Sequence, residues 1–358
     1  MIENIKQSLR DFSEEELSQI VKELGFPAFR AKQLADWLYK KHILVAKEAK
    51  NLPKDFLEAL EKKYSFSSLE CVESQQSSDN SNKFLFKTQK GELIETVYIH
   101  QGGERHALCL TTQVGCKMAC RFCASGKLGW ERNLSAGEIL EQVSQAIRII
   151  GAPIDNIVFM GMGEPLDNFD AFLKSIRTLK APWGYGMGGR RITVSTSGLI
   201  PAIERFAKEA PGEVKLAVSL HGTTEESRQK LMPINKAYPL KDLIECLERV
   251  QRNFKRQVTF EYIMIKGLND SPGDAERLAD FALRLNAKVN LIPYNKIEGE
   301  TFERPAVDVM KRFQTFLLES DVTVTLRYSA GSDINAACGQ LRLLRHAEDY
   351  HQAPRPRS

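Results

Sequence analysis

The sequence contains no apolar run approaching the roughly 20 residues that span a bilayer, and its opening, MIENIKQSLRDFSEEEL, is too polar for a secretory signal. A membrane-embedded or exported chain is thereby set aside; the expectation is a cytoplasmic protein with no membrane partner. Charge of one sign is scarce as well: 50 Lys and Arg stand against 46 Asp and Glu. So small an excess does not by itself announce a nucleic-acid partner. Cysteine is limited to seven, an odd number, with three crowded between 116 and 123. In a reducing compartment that pattern argues against a disulfide scaffold and for metal ligation or catalysis. No internal repeat is evident. What remains, at 358 residues with 42% hydrophobic content, is an ordinary soluble globular composition, long enough for one large domain and a small accessory one.

Residues 13–64 have helical spacing. Ser13 and Glu16 form the pattern of a reciprocal cap, Gly25 and Pro27 close that helix, and Pro53 opens a later one. Between them AFRAKQLADWLYKKH places Phe29, Leu34, Trp37 and Leu38 near one stripe. The expected organisation is a helical accessory domain at 1–75, a β-hairpin linker region at 76–105, a barrel at 106–345 and a polar tail at 346–358. ESQQSSDNSN (74–82) reads as a linker or hairpin loop. Seven cations, Arg30, Lys32, Lys40, Lys41, Lys47, Lys50 and Lys54, face only Asp36 and Glu48 within 28–54. They form either a solvated helical face or an RNA-contacting one.

From 83 the pattern changes. FLFKT and LIETVYI read as a hairpin, and ALCLTT begins an alternation of short apolar runs with longer amphipathic ones. Six or more such units predict an α/β fold of parallel strands and crossover helices, a TIM-like barrel, complete or partial, whose ligand site lies at the carboxyl ends of its strands. In the loop after ALCLTT stands Cys116-Lys-Met-Ala-Cys120-Arg-Phe-Cys123. Three thiolates at this spacing suit three irons of a cubane and leave the fourth open; a structural zinc site would require a fourth ligand, and no second pair at zinc-finger spacing exists. Later strand ends are polar: Gly161-Met-Gly163-Glu164, Ser195-Thr-Ser-Gly, Ser219-Leu220-His221 and Pro293-Tyr-Asn295. Singly each is unremarkable. A barrel would bring all four to one mouth.

Taken together, FRAKQLADWLYKK, LCLTTQVGCKMACRFCASG, RNLSAGEILEQV, FMGMGEPLDN, STSG, SLH, LMPINKAYP, IPYN and GSDINAACGQL resemble the bacterial radical S-adenosylmethionine (SAM) dual-specificity 23S rRNA/tRNA adenine-C2 methyltransferases over nearly the whole chain. The resemblance implies a partial (β/α)6 radical SAM barrel behind a helical N-terminal domain. It implies a 4Fe-4S cluster on Cys116, Cys120 and Cys123, and SAM contacts from Gly163, Glu164, Ser195, Ser219, Leu220, His221 and Asn295. Cys338 is then the methyl-carrying cysteine, Cys109 its resolving partner, and Glu95 a general base. Cys71 and Cys246 read as structural.

Carbon 2 of adenine is an electron-poor carbon with no useful nucleophilicity, so direct displacement on the SAM methyl does not serve. By the resemblance, one SAM methylates Cys338 and a second supplies a radical that activates that methyl group. Addition to the adenine follows, and Cys109 then releases the RNA, leaving a disulfide for cellular reductants. The implied partners are 23S rRNA, tRNA and a reductase or flavodoxin-type electron donor, with the enzyme a monomer. Three alternatives stand beside this: the C8-methylating resistance branch of the same family, a radical SAM enzyme on a small molecule or peptide, and a non-catalytic RNA-binding iron–sulfur protein.

Overall fold

The structure, a computed structural model, describes residues 5–103, 105–127 and 129–341. The tail expected at 346–358 lies outside the described residues. Three helices open the chain: α1 (Glu14–Glu23), α2 (Phe29–Tyr39) and α3 (Lys54–Lys63). α1 begins as its sequence predicts, with Ser13 Oγ accepting from the Glu16 amide and the Glu16 carboxylate accepting from the Ser13 amide. α2 buries Leu34 and Leu38 and packs Trp37 against the core. Phe29 departs from the expected stripe. It is 57% exposed beneath the Arg30 guanidinium, because five residues before Leu34 is about 140° away around a helix of 3.6 residues per turn.

Ten strands form one sheet whose spatial order is the chain order: β1 (Leu69–Gln76), β2 (Asn82–Thr88), β3 (Leu93–His100), β4 (His106–Cys109), β5 (Asn156–Phe159), β6 (Ile192–Thr196), β7 (Lys215–Ser219), β8 (Thr259–Met264), β9 (Lys288–Pro293) and β10 (Val324–Leu326). β1 to β4 are joined antiparallel; from β4 onward every pairing is parallel. Each parallel crossover carries a helix: α4 (Ala136–Ile150), α5 (Phe169–Lys180), α6 (Ile200–Glu209), α7 (Glu225–Leu231) with α8 (Leu240–Val250), α9 (Pro272–Arg284) and α10 (Val307–Glu319). The result is a partial (β/α)6 barrel with one further short strand on its open edge. No described helix is long and apolar enough to cross a membrane.

Two elements escape the sequence pattern. β1 is LECVESQQ, polar on its outward face and at the sheet edge, so hydrophobic alternation hardly marks it. Within 76–105, β2 and β3 form a hairpin, and with β1 they extend the barrel's own sheet. α7, EESRQKL, has a single apolar residue, Leu231, and is started by Thr224 accepting from the Ser227 amide.

The accessory helices and the barrel share one continuous apolar core. Polar groups lock the junction. Buried Arg10 donates to the carbonyls of Leu38, Ile43 and Phe66, and buried Glu141 of α4 accepts from the Ser68 and Leu69 amides.

Candidate active site at the carboxyl ends of the barrel strands

The carboxyl ends of the parallel strands open onto a cleft with a cavity volume of about 140 Å³. Cys116, Cys120 and Cys123 line one side; Gly163, Glu164, Ser195, Ser219 and His221 line the side made by the strand ends. The cysteine loop is bent inward at Gly115, where φ is +78° and an added Cβ would lie 2.1 Å from the Gly129 carbonyl oxygen. Burial pushes the Cys116 thiol up to about 12 and the Cys120 thiol well above its ordinary value, and in both cases neighbouring cysteines push the same way. Among the described residues no three Cys, His, Asp or Glu side chains converge on a point that would hold one metal ion. A cubane requires a different arrangement, one thiolate on each of three irons, so that the ligands surround a body rather than a point. Three neighbouring thiols, Cys120 buried and Cys116 and Cys123 half-buried, close enough to feel one another and with the Arg228 charge acting on Cys120, fit that group.

Glu164 follows Gly163, whose φ of +97° leaves no room for a Cβ against Gln113. The Glu164 carboxylate accepts from the amides of Ser197 (2.7 Å) and Leu166 (3.2 Å). Burial raises its pKa, partly offset by the Ser197 amide. It is thus a desolvated acceptor short of a cation, suited to a ligand ammonium. His221 sits at φ +54° with Nδ1 accepting from the Ile263 amide at 3.1 Å, so the proton of the neutral ring is on Nε2. Burial, then the Arg228 charge, holds its pKa down to about 3. Phe122 of the cysteine loop packs edge-on against the ring, with centroids 4.6 Å apart.

Two expected SAM contacts stand back from the cleft. Leu220 is fully buried and its amide donates to the Glu261 carbonyl. Asn295 is turned to the chain after β10: its amide nitrogen donates to Ser329 Oγ (2.9 Å) and to the Cys338 carbonyl (3.2 Å). Conversely, two residues not singled out from sequence line the cleft with a buried oxygen that has no partner, Ser197 Oγ and Glu261 Oε2. Ser197 was legible, since it lies two residues beyond Ser195. Glu261 was visible only as a lone carboxylate inside the apolar run VTFEYIMI. Fully buried Arg228 braces this region, donating to the Ser197 carbonyl and to Asn235 Oδ1, each at 2.7 Å.

A second cavity is lined by Cys109, Cys123 and Cys338, and Cys338 lines both spaces. Cys109 ends β4; burial, then nearby Cys338, pushes its thiol up to about 12. The Cys338 segment is held from two directions. On the side of the cysteine loop the Ala124 amide donates to the Gly339 carbonyl and Ser125 Oγ to the Leu341 carbonyl, both at 2.7 Å. On the far side the hairpin loop between β1 and β2 grips it: Ser77 Oγ and the Ser78 amide donate to Asp333, and the Gly331 amide donates to Asp79. The segment read as a linker or hairpin loop is thus a hairpin loop that also acts as a clamp. Glu95 is buried and paired with Lys83 at 3.1 Å; it lines neither cavity. All seven cysteines are free, so the implied disulfide is not formed in this state.

The radical SAM superfamily profile matches residues 110–282, and the profile of the ribosomal RNA large subunit methyltransferase N-terminal domain matches residues 7–65. A dual-specificity RNA methyltransferase of Sulfurovum sp. is 42% identical, over 94% of this chain and 97% of its own length. The Opitutus terrae protein described as a probable enzyme of the same kind is 46% identical, over 92% of each chain. The chain belongs to the dual-specificity RNA methyltransferase family of radical SAM enzymes. The crystal structure of a radical SAM methyltransferase from Sphaerobacter thermophilus superposes with a TM-score of 0.90 at 41% identity, covering 94% of this chain and 99% of that one. The cofactors of this radical SAM family are a 4Fe-4S cluster and SAM, and the three-thiol wall and cation-seeking Glu164 described above suit them in turn.

Proposed function

We propose that this enzyme methylates carbon 2 of an adenine in 23S rRNA and of an adenine in tRNA, using Cys338 as the methyl carrier. The observation that carries the reading is that Cys338 lines both the cleft of the three cysteines and the cavity of Cys109. On this reading Cys116, Cys120 and Cys123 hold the cluster, which when bound supplies the electron that cleaves SAM to a 5′-deoxyadenosyl radical. Glu164 accepts from the SAM ammonium, while Gly163 and the hydroxyls of Ser195 and Ser219 shape its seat. His221 offers its Nε2 proton. Leu220 acts through the backbone it fixes, and Asn295 acts by holding the Cys338 carbonyl. Once the carbon carried by Cys338 is joined to adenine C2 and the adduct has lost the C2 proton and an electron, the Cys109 thiolate attacks the Cys338 sulfur, the sulfur–carbon bond breaks, and the released carbon takes a proton to become the methyl group, leaving the Cys109–Cys338 disulfide. Glu95 takes the role of general base only by leaving Lys83.

The accessory helices of residues 1–75 serve as the RNA anchor, with Lys32, Lys40, Lys41, Lys47, Lys50 and Lys54 exposed on them. A flavodoxin-type donor supplies electrons in the cytoplasm, and the enzyme works as a monomer. The test is Cys109→Ala protein purified from cells and run on a denaturing gel with and without nuclease. A covalent protein–RNA adduct that nuclease removes is expected, and free protein with normally methylated RNA would refute the assignment. Mass spectrometry of the modified nucleoside separates C2 from C8.

A further inference from the structure

The strands that feed the cleft have a second use at their other ends. Along an inward strand face alternate residues share a side. Ser219 and Ile292 line the cleft, whereas Lys215 and Lys288, four residues earlier on β7 and β9, line a separate cavity at the amino ends of the strands. Its volume is about 430 Å³. Five cations line it: Lys215, Lys255, Arg256, Lys288 and Arg327. Among the described residues, Glu261 is the only carboxylate on its wall; it lies in the middle of β8 and also lines the cleft.

These cations are poorly discharged. Among the described residues only Arg256 has an ion pair, with Glu213 at 3.1 Å, and its Nε is buried without a partner. Glu261 already accepts from Asn290 at 3.0 Å. Burial, then the charges of Lys288 and Arg256, holds the Lys215 ammonium below its ordinary pKa, as expected of cations that face one another without an anion between them. A purely structural interior would not concentrate like charge at this cost. Lys255 and Lys288 are exposed at its mouth while Lys215, Arg256 and Arg327 are half-buried within it, an arrangement that suits a compact ligand rather than the backbone of an RNA duplex.

We propose that the amino-terminal end of the barrel is a binding site for a compact polyphosphate, either inorganic pyrophosphate or the phosphate chain of a free nucleotide. Lys215 and Lys288 hold the ligand from the strands, Lys255 and Arg256 from the loop before β8, and Arg327 from beyond β10. Multidentate contact to phosphate oxygens is what guanidinium and ammonium groups at one concave site provide.

The experiment is calorimetric and thermal titration of the full-length, cluster-loaded protein with pyrophosphate and with ATP, at ionic strength held constant with sodium chloride. Saturable binding is expected, with a rise in melting temperature of about 2–4 °C or more. Affinity should fall at least tenfold in the Lys215→Gln/Lys288→Gln variant and remain unchanged in Lys208→Gln/Lys311→Gln, both exposed and outside every site described. Without ligand, the double variant should melt no lower than the parent, because repulsion is relieved. If that variant does not fold, Lys255→Gln, exposed at the rim, makes the same comparison. Tighter ATP than pyrophosphate assigns a nucleotide; equal affinity assigns the phosphate chain alone. No effect beyond that of chloride overturns the proposal. So does equal binding by parent and variant, or a loss of RNA affinity in the variant without any pyrophosphate binding by the parent.

Discussion

Replacing Gly339 with alanine tests whether the Cys338 segment is seated on the cysteine loop as tightly as the structure shows. At φ +83° an L-residue is strained by about 1–2 kcal/mol. The added Cβ would also lie 2.7 Å from the Phe122 carbonyl oxygen, a backbone atom that cannot swing aside. The segment must then lift, which endangers the Ala124–Gly339 and Ser125–Leu341 hydrogen bonds, each worth about 1 kcal/mol net. The expected cost is therefore about 2–4 kcal/mol, met either as lost global stability or as local release of the segment. Urea denaturation reads the first. Alkylation of Cys338, followed by peptide mass spectrometry, reads the second as faster labelling, accompanied by less S-methylated Cys338 in protein purified from cells. Gly339→Ala protein with parental stability, labelling rate and methylation would refute the seating.

Cys120→Ala should abolish the cluster, seen as loss of its visible absorption and of bound iron after anaerobic reconstitution; a fully loaded cubane would sink the ligand assignment. Lys40→Glu with Lys41→Glu and Lys47→Glu should weaken RNA binding and flatten its salt dependence by about 0.7–0.9 per lost phosphate contact, while SAM cleavage continues. Unaltered RNA affinity across several salt concentrations would remove the anchor role. Truncating the accessory helices is a poorer test, because their core is continuous with that of the barrel. His221 has a folded pKa of about 3, below its unfolded value near 6.5, so its contribution to stability is present above pH 6.5 and is lost as pH falls. Between pH 6.5 and 4.5 that loss is about 2–3 kcal/mol, and His221→Asn, which keeps an acceptor for the Ile263 amide, should flatten the acid limb of the stability curve. An identical limb in the variant would place acid sensitivity elsewhere.

The barrel was legible because its strands are short apolar runs separated by amphipathic helices; ITVST, for example, is β6 to the residue. The same signal fails for β1 and α7, which are held by neighbours and caps rather than by apolar faces of their own. At the site, motif spacing found the groups at strand ends, where polar residues interrupt apolar ones. It missed Glu261, which lies within a strand and matters only through what the inward face encloses at both ends. Asn295 shows the limit from the other side. Its position beyond β9 was readable, but its aim at the Cys338 carbonyl depends on a segment more than forty residues later.

The grip of the β1–β2 hairpin loop on Asp333 and Gly331 joins the two outer margins of an open sheet without a single strand-to-strand bond. Residues from opposite ends of the gene must therefore meet before the ring is complete. During synthesis the cysteine triplet emerges more than two hundred residues ahead of Cys338, and domains fold as they appear. A growing chain can thus form its three-cysteine loop while Cys338, the proposed methyl carrier, is still unmade, and the clamp seats that residue only after the rest of the barrel has emerged.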